Sequence, residues 1–141
     1  MTQVTLSKKG IGPIEYNGYQ YYVAPASERI IARWSGNSVD INGKAWDIPT
    51  REELNNVVYQ NKEEIDEVDA TVSVSTSPSL ANIGTATARD GSNTRSTPWV
   101  WSSTEYSSYR AWAQRFSDGH IISFFKTSEL WVVGIYKEPI T

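Results

Sequence analysis

The run Glu105-Tyr106-Ser107-Ser108-Tyr109-Arg110 gathers, in six consecutive positions, the side chains best suited to holding a ligand. Tyrosine buries a large face at little entropic cost and adds a hydroxyl, serine adapts its hydrogen bonding to the partner, and arginine offers a planar fork of donors. Recognition loops draw on the same palette, so the run points to binding rather than to bond-making. Asn93, Arg95 and Trp99 lie just upstream and join the set if the loop that carries them folds across the same end. The expected ligand-binding residues are therefore Tyr106, Tyr109, Arg110, Glu105, Asn93, Arg95 and Trp99.

Catalytic constellations are weaker. There is no cysteine, which removes thiol nucleophiles, disulfides, thiolate zinc sites and iron–sulfur clusters, and there is one histidine. That residue, His120, follows Asp118-Gly119. Turn geometry selects residues at such a place first, and a Ser-His-Asp triad is defined by placement in space. Glu105, Asp118 and Glu129 offer carboxylates, yet glycoside hydrolysis needs a fixed separation and one raised pKa. Ser102, Ser103 and Thr104 have no base beside them in sequence and read as strand-end residues that satisfy the backbone. The expectation is a non-enzyme with no cofactor and no metal.

Thirteen Lys and Arg against sixteen Asp and Glu leave a net charge of -3, which lacks the basic footprint of nucleic-acid binding. No apolar run approaches the about 20 residues that cross a bilayer, so membrane insertion is not expected. The segment Met1 to Lys9 has no apolar stretch of the secretory kind, so export by that route is not expected either. A length of 141 residues suits one domain over 1–141 with a single core. Six Trp and eight Tyr supply aromatic surface for packing, for binding, or for both.

The elements that must position the loop follow from turn and cap signals. Asn17-Gly18 between Ile14-Glu15-Tyr16 and Tyr19 to Val23 predicts a hairpin, as does Asn42-Gly43 between Val39-Asp40-Ile41 and Lys44-Ala45-Trp46; a strand is expected over 29–34. Pro49, Thr50 and Glu53 write a capping box, and Leu54, Val57, Val58, Ile65 and Val68 recur at helical spacing with Asn61 as the point of a break. Positions 51–69 carry seven acidic and two basic residues and read as an acidic solvated face. Residues 70–98 hold twelve Ser or Thr and read as a long loop region with a mobile tip at Asp90-Gly91-Ser92-Asn93. Strands return at 99–103, 111–116, 120–125 and 130–136, the middle two pairing across Asp118-Gly119 and the last covered on both faces. Trp46, Trp101, Trp112 and Trp131 are assigned to packing, and 1–12 is considered as an N-terminal arm. The class is α+β, with antiparallel sheets, one or two helices and a long loop region.

Two stretches resemble a known family. Trp46-Asp47-Ile48-Pro49-Thr50-Arg51-Glu52-Glu53-Leu54 is similar to a "W-R-L-P-T-x-x-E-L" helix entry. Trp101-Ser102-Ser103-Thr104-Glu105, followed by Ala111-Trp112-Ala113 and Phe116-Ser117-Asp118-Gly119, is similar to a "W-S-S-T-E … A-W-x-V-x-F-x-x-G" core. Both occur in the lectin-like C-terminal domain of bacterial collagen-like (Lcl) adhesins and related stand-alone phage proteins, and the likeness spans about Ala45 to Lys137. It implies a C-type lectin-like fold whose long loop region carries recognition. Asp47 stands where the family has arginine, and Val132-Val133-Gly134-Ile135-Tyr136-Lys137 lacks the arginines of the family's last strand, so those contacts do not carry over. The cysteines of sulfatase-activating relatives and the Glu-Pro-Asn and Trp-Asn-Asp motifs of calcium-dependent lectins are absent, which sets both activities aside.

The expected function is a non-enzymatic binding module on a phage virion, made in the host cytoplasm, that recognises a cell-surface glycan or protein receptor. The alternative is a virion structural or decoration protein whose aromatics bury at a protein interface. Expected partners are that receptor, other virion proteins and copies of the chain itself. A third reading, suggested only by the Tyr- and Ser-rich end, is a variable recognition loop diversified by a retroelement.

Overall fold

In the computed structural model, residues 4–41, 43–72, 79–84 and 97–140 are described. Strands β1 (Thr5–Ser7) and β2 (Gly10–Tyr16) pair antiparallel, and β2 turns through Asn17-Gly18 into β3 (Tyr19–Val23). Both turn residues have positive φ, 52° and 86°, the hand that matches strand twist. A 3₁₀ turn at Ala26–Glu28 leads to β4 (Ile30–Ala32), then β5 (Ser38–Ile41) and β6 (Lys44–Asp47). Ile41 faces Lys44 across the second turn, in which Gly43 has φ 84° and Asn42 lies outside the described residues.

The helical segment starts as its sequence dictates. Thr50 Oγ1 accepts from Glu53 N at 3.1 Å and Glu53 Oε1 accepts from Thr50 N at 3.0 Å, closing the capping box. Helix α1 (Arg51–Glu53) runs into a π-helical stretch, Leu54–Tyr59, marked by the wide Gln60 N–H to Asn55 O bond of 3.0 Å. The break falls at Asn61. Its Nδ2 donates to Val57 O at 2.9 Å, and its own carbonyl accepts from Ile65 N as α2 (Lys62–Val72) begins. Asp66 of α2 accepts from Leu80 N and Ala81 N, which fixes the start of α3 (Leu80–Gly84).

The remaining strands are β7 (Trp99–Glu105), β8 (Arg110–Arg115), β9 (Ile121–Phe125), β10 (Leu130–Val132) and β11 (Ile135–Pro139). One sheet has the order β1-β2-β3-β11-β6-β5 and the other β4-β10-β7-β8-β9. The pairing is antiparallel except for β10 on β7, so the domain is α+β with mostly antiparallel sheets. Among the described residues no helix is long and apolar enough to cross a membrane.

The second sheet separates two apolar cores. One, with Leu54, Val58, Ile65, Val100 and Ile135, joins the first sheet and the helices; the other holds Ile48, Trp99, Trp101, Phe124 and Val132. Between α2 and the 3₁₀ turn lies a buried ion pair, Arg29 Nη2 to Asp69 Oδ2 at 2.9 Å, and Asp69 also accepts from Ala26 N.

Several expectations are corrected. Residues 5–12 are not an arm: they form β1 and the start of β2, and Ile11 is fully buried in the first core. The expected strand 130–136 is two strands in different sheets, with Val133-Gly134 as the crossing. Trp46, Trp101 and Trp131 are buried, but Trp112 is only half-buried and belongs to neither core. The expected mobile tip at Asp90-Gly91-Ser92-Asn93 lies outside the described residues.

Gly134 is required by contact. A Cβ there would meet the Trp46 indole, 2.7 Å from Cγ. Gly134→Ala is expected to lower the unfolding free energy by about 1–3 kcal/mol, as overpacking does, and urea denaturation that finds no change would refute the contact.

Glu53 gives a pH test. Burial alone would raise its pKa, but hydrogen bonds from Lys137, the Thr50 N–H and the Tyr21 hydroxyl outweigh it and hold the carboxyl below the usual range. A depressed folded pKa contributes stability above the unfolded value, about 4.3, and that contribution disappears as pH falls through the folded value. The stability gap between wild type and Glu53→Gln should therefore narrow on acidification below about pH 4. A gap independent of pH there would show that the carboxylate charge is not what holds the junction.

Candidate functional site

The connection from β7 to β8 is locked by its own backbone. Tyr106 N and Ser107 N both donate to Arg110 O, at 2.9 and 3.1 Å, while Ser107 Oγ accepts from Tyr109 N and Arg110 N, each at 3.2 Å. With polar groups turned inward, the two tyrosine rings point out, Tyr106 57% and Tyr109 75% exposed.

Register decides what lies beside them. Arg110 pairs with Phe125 and Trp112 with Ser123, so these four share one face of the second sheet. The Tyr106 ring meets Trp112 edge-on at 5.1 Å, and the Arg51 guanidinium stacks over the same indole at 4.7 Å. The irregularity in β7 between Trp101 and Glu105 brings its far end to the helix start: Ser103 N donates to Pro49 O and Thr104 Oγ1 accepts from Arg51 N, both at 2.8 Å. Phe125 is 57% exposed and carries the Arg110 guanidinium 4.5 Å above its ring.

Lys126 closes the arrangement. Its N–H donates to Tyr109 O, its carbonyl accepts from Trp34 N, and its ammonium reaches Glu105 at 2.5 Å while lying 4.4 Å over the Trp34 ring. Tyr106, Tyr109 and Phe125 are the exposed aromatics of this end; Arg51 and Arg110 stack on Trp112 and Phe125 of one sheet face, and Lys126 stacks on Trp34 beside the second core.

Of the residues expected from sequence, Glu105, Tyr106, Tyr109 and Arg110 come together here. Asn93 and Arg95 lie outside the described residues. Trp99 does not join: it is 2% exposed and packs edge-on against Phe124 at 4.9 Å in the second core. Sequence reasoning missed Arg51, Trp112, Phe125 and Lys126. For Arg51 a signal existed, since it occupies the first helical position after a capped threonine and cations are disfavoured there.

Two of the groups considered for catalysis, Ser102 and Asp118, are engaged elsewhere. Ser102 Oγ donates to Trp112 O at 2.7 Å, and Ser102 is buried. Asp118 is clamped by the Arg115 fork at 2.9 and 2.5 Å and accepts from His120 N, which keeps its carboxyl well below the usual range. Among the described residues no three acidic or histidine side chains gather where they could hold a metal ion. What the site offers is exposed aromatic area with the Arg51 guanidinium beside it, which suits a ligand with both apolar faces and polar edges.

No family model and no curated protein matches the chain.

Lys126→Ala removes the clasp while leaving both its backbone bonds. Faster amide exchange at Tyr106–Arg110 is expected, with amides of Val57 and Val58 unchanged and global stability lower by about 0.5–1 kcal/mol. Equal exchange across the loop would mean that the clasp does not order it.

Proposed function

We propose that this chain is a non-enzymatic binding module with a C-type lectin-like fold, carried on a phage virion, and that it recognises a cell-surface glycan or protein receptor through the end formed by Tyr106, Tyr109 and Phe125. The observation that carries the reading is the pairing of rigidity with exposure. Large aromatic rings are held out in solvent by a loop whose backbone is tied by the Ser107 hydroxyl and the Arg110 carbonyl, so less order remains to be imposed on binding. The likeness of the Trp46 to Leu54 and Trp101 to Gly119 stretches to the lectin-like domain family supports the fold, and its stand-alone phage members support the virion placement.

Weak single contacts would be strengthened by several copies on one particle through effective concentration. Glycan-array and whole-cell binding test the reading. Wild type should bind, and Tyr106→Ala and Tyr109→Ala should each weaken binding about tenfold, the scale of one interface anchor, without loss of thermal stability. Absence of wild-type binding, or equal binding by folded variants, would overturn it.

A further inference from the structure

Strand β9 ends the second sheet, with β8 on one side and, among the described residues, no strand on the other. Arg115 N donates to His120 O and Lys126 N to Tyr109 O, so the even-numbered backbone groups of this stretch face β8. Those of Ile121, Ser123 and Phe125 face away. Exposed edges invite another strand, and proteins usually blunt them with charge, proline or a bulge. Ile121-Ile122-Ser123-Phe124-Phe125 has no charge and no proline, and its register with β8 runs through five pairs without a shift.

The protection comes from neighbouring segments instead. Ser128 N donates to Phe125 O at 2.9 Å, which occupies one outward carbonyl. Arg110 reaches from β8 across β9 to another, its Nη2 at 2.9 Å from Ser123 O and its Nε at 2.9 Å from Ser123 Oγ. Stacking on Phe125 holds the guanidinium in place.

We infer that Arg110 guards the β9 edge against antiparallel pairing with a second copy of this chain. The strand's pattern is self-complementary about Ser123. A two-fold pair centred there sets Ile121 against Phe125 and Ile122 against Phe124 of the other copy, apolar against apolar with no charge in the seam. In that pair the two Ser123 residues exchange N–H to carbonyl bonds, and the carbonyl they need is the one Arg110 covers. The guanidinium blocks the centre of symmetry, both by its hydrogen bond and by the space it fills.

Light scattering after size exclusion tests this across a wide concentration range. Wild type is expected to keep the mass of one chain, Arg110→Ala to move toward twice that mass or beyond as concentration rises, and Arg110→Lys, which keeps charge without the fork, to fall between. The double variant Arg110→Ala with Ser123→Pro should return to one chain. The N–H lost at 123 faces away from β8, so the β8–β9 ladder keeps its bonds while the outer edge loses its central donor. Three results overturn the inference: a folded Arg110→Ala that stays one chain throughout, association that Ser123→Pro does not relieve, or wild-type association that Ser123→Pro does relieve. Should Arg110→Ala unfold, Arg110→Lys carries the same comparison.

Discussion

A buried carboxylate survives only if the structure around it supplies donors, because removing an ion from water without partners costs several kcal/mol (roughly). Glu53 imposes that demand on three segments at once. Its oxygens accept from Thr50 N at the helix start, from the Tyr21 hydroxyl of β3 at 2.7 Å and from the Lys137 ammonium of β11 at 2.6 Å. Tyr21 and Lys137 sit opposite one another in the register, so the acid pins the positive end of the helix onto the seam between an early strand and the last one. Through Arg51 and Pro49, which bond to Thr104 and Ser103, the same junction sets where β7 ends and where the loop to β8 begins.

The second sheet then acts as the platform. It is packed on both sides near Trp101 and Val100, and two indoles tie it to the segment around β4: Trp101 Nε1 donates to Ala32 O at 2.9 Å and Trp34 Nε1 to Ser102 O at 2.8 Å. Trp34 N also bonds Lys126 O, so the segment after β4 meets the segment after β9 and the sheet curls around the second core. Rigidity at one end allows exposure at the other, the usual division between scaffold and surface loop.

Local chemistry made much of this legible. The capping box, the Asn17-Gly18 turn and the break at Asn61 each depend on neighbours within a few residues, and each stands where turn and cap rules place it. What could not be read are choices between faces and registers. A two-residue turn at Asp118-Gly119 would set Arg110 opposite Thr127, but Gly119 N bonds back to Arg115 O and a four-residue loop sets it opposite Phe125. Trp99, Trp101 and Trp112 look alike as sequence. Register sends the first two, with Trp101 opposite Ala113, into the second core and leaves the third, one residue out of phase with Ala113, on the opposite face beneath Arg51. Likewise the run from Trp131 to Ile135 gives no sign that it changes sheets at Val133-Gly134, where the Trp46 indole leaves no room for a side chain on residue 134.

The two arginines of the site show how one residue type serves opposite ends. Arg110 comes from the loop that most resembles a recognition segment, yet its fork is turned inward onto Ser123. Arg51 comes from a helix start, where a cation opposes the macrodipole at a cost of about 0.3–1 kcal/mol. Stacking on Trp112 offsets a similar amount, and Glu52 and Glu53 restore the sign of the first turn. Among the described residues the Arg51 guanidinium makes no ion pair. Local rules are broken most often where function compensates for it. The guanidinium beside Tyr106 and Trp112 is thus the one that helix physics would not have chosen; in the binding surface proposed above, the polar half falls to Arg51, while Arg110 holds the sheet beneath it.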